Sequence, residues 1–253
     1  MSTIGIVTGA SSGIGAEFCR RLDALGLDCI WLIARRVDRM EEVASSLKTS
    51  TRLFSVDLTD RESISVFGAV LQEESPEISY LINSAGFGKF GMTWEIPLEE
   101  TQAMIDLNVT ATVTLTTMCI PYMKKGSHII IMDSASAYVP MYDLNIYAST
   151  KAFVRHFCNG LRKELEPKGI SVTEVSPGWV RTEFIDITME HEQVPKKVFN
   201  GSVSKEDVVD AAMIAARKGK RRSVCGARNK IVVFLSTHFP NFAAKVWRDQ
   251  FGK

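Results

Sequence analysis

Metal- and disulfide-type cysteine patterning is absent. The five cysteines, Cys19, Cys29, Cys119, Cys158 and Cys225, are scattered, and no two form a C-x-x-C pair. The four histidines are equally dispersed. An odd, dispersed set in mostly apolar surroundings argues against a disulfide framework and a Cys/His zinc site. It predicts reduced thiols, no bound metal and a cytoplasmic location. An excess of charge is also missing: 30 Lys and Arg against 29 Asp and Glu leave a formal net charge of +1. That balance gives no field to gather nucleic acid or to hold an anionic membrane. No stretch of about 18 uncharged apolar residues occurs, so no membrane span is expected. A strand-like segment from Thr3 to Thr8 begins almost at once, with no basic region or cleavage site before it, so no signal peptide is expected. Linkers, low-complexity stretches and repeats are lacking as well, and 253 residues then predict one large domain.

What is present is a repeated alternation. Short apolar runs rich in β-branched residues predict strands at Ile4–Thr8, Cys29–Ala34, Arg52–Val56, Tyr80–Asn83, His128–Met132 and Ser171–Ser176. Segments of helical period lie between them, near residues 14–25, 38–48, 60–73, 98–124 and 146–166. Continuously apolar strands suit a parallel sheet covered on both faces, so the fold class is a doubly wound, mostly parallel α/β sheet. Residues 183–203 lack a clear period. Ser204 reads as an N-cap for a helix over about 205–217, and a short strand near 223–225 would close the sheet. The tail, about 228–253, carries Phe239, Phe242, Ala243, Val246 and Trp247 at helical spacing, as core or subunit-contact surface or as a cap on the lid. Lys245, Arg248 and Lys253 keep a membrane-surface helix as the minority reading.

Thr8-Gly9-Ala10-Ser11-Ser12-Gly13-Ile14-Gly15 follows the first strand and opens a helix. Glycines let a backbone turn sharply and approach a pyrophosphate, whose charge then sits at the positive helix N-terminus. The octapeptide resembles the T-G-x-x-x-G-x-G fingerprint of the short-chain dehydrogenase/reductase family, and the likeness continues over about residues 3–183. That resemblance implies a single Rossmann-type domain with a substrate lid over about 183–203. It places Asp57 and Leu58 against adenine, makes Asn83-Ser84-Ala85-Gly86 the counterpart of N-N-A-G, and sets Pro177, Gly178, Val180 and Thr182 at the nicotinamide end. Ser84 departs from the pattern. The second strand ends Ala34-Arg35-Arg36, with alanine where an NAD binder wants a carboxylate for the ribose hydroxyl. A guanidinium binds a 2′-phosphate bidentately, so NADP(H) is the expected cofactor, with Arg35 as the selecting residue. Arg36 fits a solvated helix entry better than Arg35 does.

Tyr147 and Lys151 stand four residues apart, on one face of a helix. Ser134 lies 13 residues before Tyr147, just past a strand, and Asn108 sits in a long preceding helix. Reducing a ketone takes a hydride at carbon and a proton at oxygen. A free phenol, with a pKa near 10, is poorly matched to that task, and the Lys151 ammonium with an oxidised nicotinamide would lower it. Tyr147 is then the general acid in reduction and the base in oxidation, Lys151 also holds the nicotinamide ribose, and Ser134 orients the substrate oxygen. The resemblance alone gives Asn108 its role, supporting a water that links Lys151 to solvent.

By the family's geometry the substrate pocket involves Phe87, Phe90, Trp94, Ala135, Val139, Met141, Tyr142, Phe184 and Ile185, an apolar and aromatic set without an arginine clamp for a small acid. This set predicts a mostly apolar carbonyl or secondary alcohol as the small-molecule partner, such as an acyl ketone, sterol or aromatic ketone. The glycine- and phenylalanine-rich segment from Ala85 to Gly91 resembles a bacterial branch of general reductases. The alternative is a sensor or scaffold that binds NADP(H) without turnover. The two long helices, through Met104, Leu107, Ala111, Leu115, Met118, Phe153, Phe157 and Leu161, predict a homodimer or homotetramer.

Overall fold

Strands that are apolar on both faces need cover on both, and the chain supplies it. The computed structural model describes residues 2–188, 199 and 201–250. The strands are β1 (Thr3–Thr8), β2 (Cys29–Ala34), β3 (Ser50–Ser55), β4 (Glu77–Asn83), β5 (Met123–Met132), β6 (Ser171–Val175) and β7 (Arg222–Ser223). They form one sheet in the order β3-β2-β1-β4-β5-β6-β7, with every pair parallel. Ile4, Ile6, Ile129 and Ile131 point to one face, where α3 (Arg61–Glu74), α5 (Thr112–Cys119) and α6 (Asn145–Leu165) pack. Val7, Ile30, Ile130 and Met132 point to the other, covered by α1 (Gly13–Leu22), α2 (Val37–Ser45) and α8 (Lys205–Arg217). The chain runs outward from β1 through β2 to β3, then returns to β4 and builds the other way. The reversal leaves a crevice at the carboxyl ends of β1 and β4, where such sheets bind ligands.

The long helix expected over 98–124 is not one regular helix. α4 (Leu98–Ile105) passes into a wide π-turn at Asp106–Ala111, then α5, then a short 3-10 turn at Ile120–Tyr122. Strand β5 already begins at Met123, earlier than the His128 expected. Leu98–Tyr122 is long and apolar enough to cross a membrane by length and composition only, a test that a core helix also meets. Its charges, Glu99, Glu100 and Asp106, fall in its first half, and the rest is broken only by asparagine and threonine; here it lies along the sheet with Ala111, Leu115 and Cys119 in the core. β7 occupies only Arg222–Ser223. The tail forms α9 (Ala227–His238) and α10 (Pro240–Asp249), separated because Pro240 starts a new helix after Phe239. Of the segment expected to form a lid, residues 189–198 and 200 lie outside the described residues, and its first part is α7 (Phe184–Thr188). Cys19, Cys119 and Cys158 are buried thiols, while Cys29 and Cys225 are half-buried.

Candidate active site

The glycine turn is built by exclusion of side chains. Gly9 has φ +66°, a conformation that side chains disfavour, and a Cβ on Gly15 would sit 2.2 Å from the Gly9 carbonyl oxygen. The turn therefore folds back on itself and leaves the first amides of α1 facing the crevice. The Thr8 hydroxyl ties this strand end to the next, accepting the Ser84 and Ala85 amides at 3.0 and 3.1 Å. Arg36 crosses the turn: its guanidinium donates to the Ser12 hydroxyl at 2.9 Å, the Ser11 hydroxyl at 3.4 Å and Glu183 at 3.2 Å. Arg36 is thus more than a solvated helix entry, because α2 begins beside the turn and points its N-cap side chain across it. Arg35 is the freer arginine, 72% exposed and 3.9 Å from Asp57.

At the far end of the crevice, α6 brings Tyr147 and Lys151 to the end of β5. Lys151 Nζ donates to the Met132 carbonyl at 2.9 Å and lies 5.8 Å from the centre of the Tyr147 ring. Burial draws the Lys151 ammonium down to about 8, with Asp133 resisting. Burial pushes the Tyr147 phenol above its ordinary value, against the pull of the Ser134 hydroxyl, and Asp133 adds to the rise. Without the oxidised nicotinamide's charge the phenol is therefore raised rather than lowered, because removal from water outweighs the Ser134 hydrogen bond. Asn108 sits in the π-turn with its amide fully engaged. Its Oδ1 accepts from the Phe87 amide at 3.1 Å, and its Nδ2 donates to the Phe87 carbonyl at 2.9 Å and the Thr150 hydroxyl at 3.0 Å. It clamps the Phe87 loop from behind Gly86. One cavity of about 760 Å³ joins the two ends, running from Gly9–Gly15 past Asp57, Leu58, Ala85 and Gly86 to Ser134, Tyr147, Lys151 and Pro177–Thr182.

Residues 3–193 match the short chain dehydrogenase family. The chain belongs to that family. A serine 3-dehydrogenase of Agrobacterium fabrum is 29% identical over 229 residues, covering 88% of this chain and 92% of the relative. A solved short-chain dehydrogenase from Sphingobium yanoikuyae, in complex with NADPH, is 27% identical with a TM-score of 0.77, over 88% of this chain and 87% of that one. The bulky-bulky ketone specific alcohol dehydrogenase from Comamonas testosteroni is 26% identical with a TM-score of 0.75, over 100% and 93%. Membership places this short-chain dehydrogenase among oxidoreductases.

Several expected pocket residues lie elsewhere in this short-chain dehydrogenase. Phe87, Ala135, Val139, Met141 and Phe184 line the cavity, but Phe90 does not. Phe90 is fully buried and stacks on Trp179 at 5.9 Å. Trp94 is 76% exposed and off the cavity, since its loop turns outward after Gly91. Tyr142 meets α10 through its carbonyl, which accepts from Trp247 Nε1 at 2.8 Å. Ile187 takes the place expected for Ile185, because residues three apart share a face of α7 with Phe184. Asn83 does not reach the cavity either; it is buried and donates to the Thr116 hydroxyl at 2.9 Å, while Ser84 lines the wall. Sequence reasoning missed the tail side of the cavity: Val232, Leu235, Phe242, Ala243, Val246 and Trp247 form an apolar wall. The helical spacing of the tail was the available signal, but spacing does not reveal what a stripe covers.

Proposed function

We propose that this short-chain dehydrogenase is an NADP(H)-dependent oxidoreductase that interconverts a carbonyl and a secondary alcohol on a mostly apolar small molecule. The observation that carries the reading is the convergence of Ser134, Tyr147 and Lys151 on one wall of a cavity whose other end is a glycine-rich turn at a helix N-terminus. The cradle at Gly9–Gly15 fits a pyrophosphate, and a Cβ on Gly13 would narrow the crevice toward Thr182, at 3.4 Å from its side chain. Arg35 and Arg36 supply cations at the turn's edge for a 2′-phosphate, in keeping with the NADPH held by the Sphingobium relative. Asp57 and Leu58 would flank adenine, and Lys151, Pro177, Gly178, Val180 and Thr182 the nicotinamide end. When bound, NADPH would supply the hydride to the carbonyl carbon.

The residues of the chain handle the proton and the developing charge. Ser134 donates to the substrate oxygen and orients it. Tyr147 holds its proton at Oη and passes it to the same oxygen as the alcohol forms. Lys151 keeps a positive charge beside the phenol, which stabilises the phenolate left behind. Asn108 fixes the loop before Phe87 and so the floor beneath Lys151. The apolar wall from α9 and α10 excludes water and suits a bulky ketone, the class specified for the Comamonas relative. A pure NADP(H) sensor has no use for a proton donor at this place. Ile105 at the end of α4 and Phe153 on α6, 42% and 51% exposed, support a working homodimer or homotetramer.

One observation favours a second substrate reading. Arg228, at the start of α9, lines the cavity, and a guanidinium there suits the carboxylate of a hydroxy acid such as serine. The deciding experiment monitors NADPH consumption at 340 nm with bulky aryl and acyl ketones, and NADP+ reduction with serine. Turnover of the ketones and not of serine is expected. Activity on serine alone replaces the apolar reading, and no turnover on any of them overturns the oxidoreductase assignment.

A further inference from the structure

Beside the catalytic group lies a buried polar cluster that hydride and proton transfer do not themselves require. Asp133 immediately precedes Ser134, and its amide donates to the Val175 carbonyl at 3.0 Å. The residue is 3% exposed, and no hydrogen bond of normal geometry reaches either carboxyl oxygen from the described residues. Charged and titratable groups face it from every element packed there. α6 presents Tyr147, Lys151, Arg155 and Cys158. β6 presents Glu174, with the weak dipole of Ser176. Tyr138 comes from the short helix after Ser134, and Arg222 from β7.

Most of these groups are committed to one another. Glu174 accepts from the Tyr138 hydroxyl at 3.1 Å and from Asn159 at 2.9 Å, and it pairs with Arg222. Tyr138 also meets the Ser176 hydroxyl at 3.0 Å, with the Arg155 guanidinium over its ring at 4.2 Å. Lys151 donates not to a carboxylate but to the carbonyl of Met132, the residue next to Asp133. We propose that Asp133 is a positioning residue that retains protons in the active site: its buried carboxylate holds Lys151 as a cation and Tyr147 as a phenol, biasing the site toward carbonyl reduction.

The inference rests on the oxidoreductase reading above for its consequence, but not for its electrostatics. A negative charge in a dry interior favours a neighbouring ammonium and disfavours a neighbouring phenolate. Burial and Glu174 push the Asp133 carboxyl well above the usual carboxylate range, while Ser176, Lys151 and Arg155 draw it back. Its charge therefore develops at higher pH than that of an ordinary carboxylate.

Protein labelled with ¹³C-lysine is titrated by NMR as the wild type, Asp133→Asn, Asp133→Ser and Glu174→Gln, with Lys151→Met identifying the Lys151 resonance. The wild-type midpoint is expected near about 8. Both Asp133 substitutions should lower it by about one pH unit, the scale set by one nearby buried charge. Asp133→Ser covers the case in which a buried asparagine amide prevents folding. Glu174→Gln should not lower the midpoint, because removing that charge favours ionised Asp133. An unmoved midpoint in the folded Asp133 variants overturns the proposal, as does an equal fall in Glu174→Gln. In turnover, the loss of reductive rate at high pH should move downward with the NMR midpoint. A wild type inactive on every carbonyl counts against the oxidoreductase reading, while the titration still decides the role of Asp133.

Discussion

The two walls of the cavity are made differently. The cofactor wall consists of strand ends and a helix N-terminus, where backbone geometry dictates residue type: Gly9 needs its positive φ, and Gly15 has no room for a side chain. The tail wall consists of side chains from α9 and α10, and α10 has no fully buried residue. Backbone-built walls tolerate few substitutions; side-chain-built walls can be recut without disturbing the sheet. Chemistry on one wall can then stay fixed while substrate choice on the other varies.

The sharpest way to test that division is at the junction of the walls. Tyr147→Phe should lower kcat by at least about 10²-fold, the scale of general acid–base catalysis, with NADPH affinity intact by fluorescence titration. Lys151→Met should lose both rate and cofactor affinity; a wild-type rate in either variant breaks the assignment of this wall.

Next in size are the arginines of the cofactor wall. Arg35→Ala should weaken NADPH binding by about 1.5–3 kcal/mol and leave NADH nearly unaffected, with Arg36→Ala behaving alike if it serves the same phosphate. Calorimetry with both nucleotides checks this. Equal weakening of NADPH and NADH would make the arginine structural.

On the tail wall the expected effect is smaller. Phe242→Ala and Trp247→Ala should each raise KM for a bulky ketone by about tenfold, as loss of apolar contact of about 1–2 kcal/mol would, with NADPH affinity unchanged. A fall in NADPH affinity of the same size would mean that the walls are not separable. The smallest change concerns association: Phe153→Glu should shift light scattering from a dimer or tetramer toward the 28.1 kDa monomer, with the thermal midpoint little altered. A wild type that is already a monomer at micromolar concentration removes the predicted interface.

Legibility in the sequence divides along the same line. The doubly wound sheet is readable because continuous runs such as Cys29–Ala34 demand cover on two faces. The glycine turn and the Tyr147–Lys151 pair are readable because backbone approach and helix spacing leave a mark in residue order. Side-chain direction leaves no such mark. Phe90 and Trp94 look alike as aromatic pocket candidates, yet one is in the core and the other in water. Arg35 reads as the selecting residue ahead of Arg36 because nothing local shows that α2 aims its N-cap across the turn. Of the eight apolar residues assigned to a subunit interface, Met104, Ala111, Leu115 and Leu161 are buried within the subunit. Periodicity finds an apolar stripe without saying whether a sheet or a partner lies against it.

The π-turn at Asp106–Ala111 carries a consequence for chain length. A helix that widens for one turn holds a residue more than a regular helix of the same span, and that surplus rotates the next segment by about 100°. Asn108 uses the widened turn to reach both the Phe87 loop and Thr150, so three distant stretches of sequence meet at one amide. Removing a single residue from Asp106–Ala111 would leave a sound, straighter helix with that amide aimed elsewhere. The stretch therefore works as a gauge of residue number as well as of residue type, and a deletion there would cost the loop more than most substitutions in it.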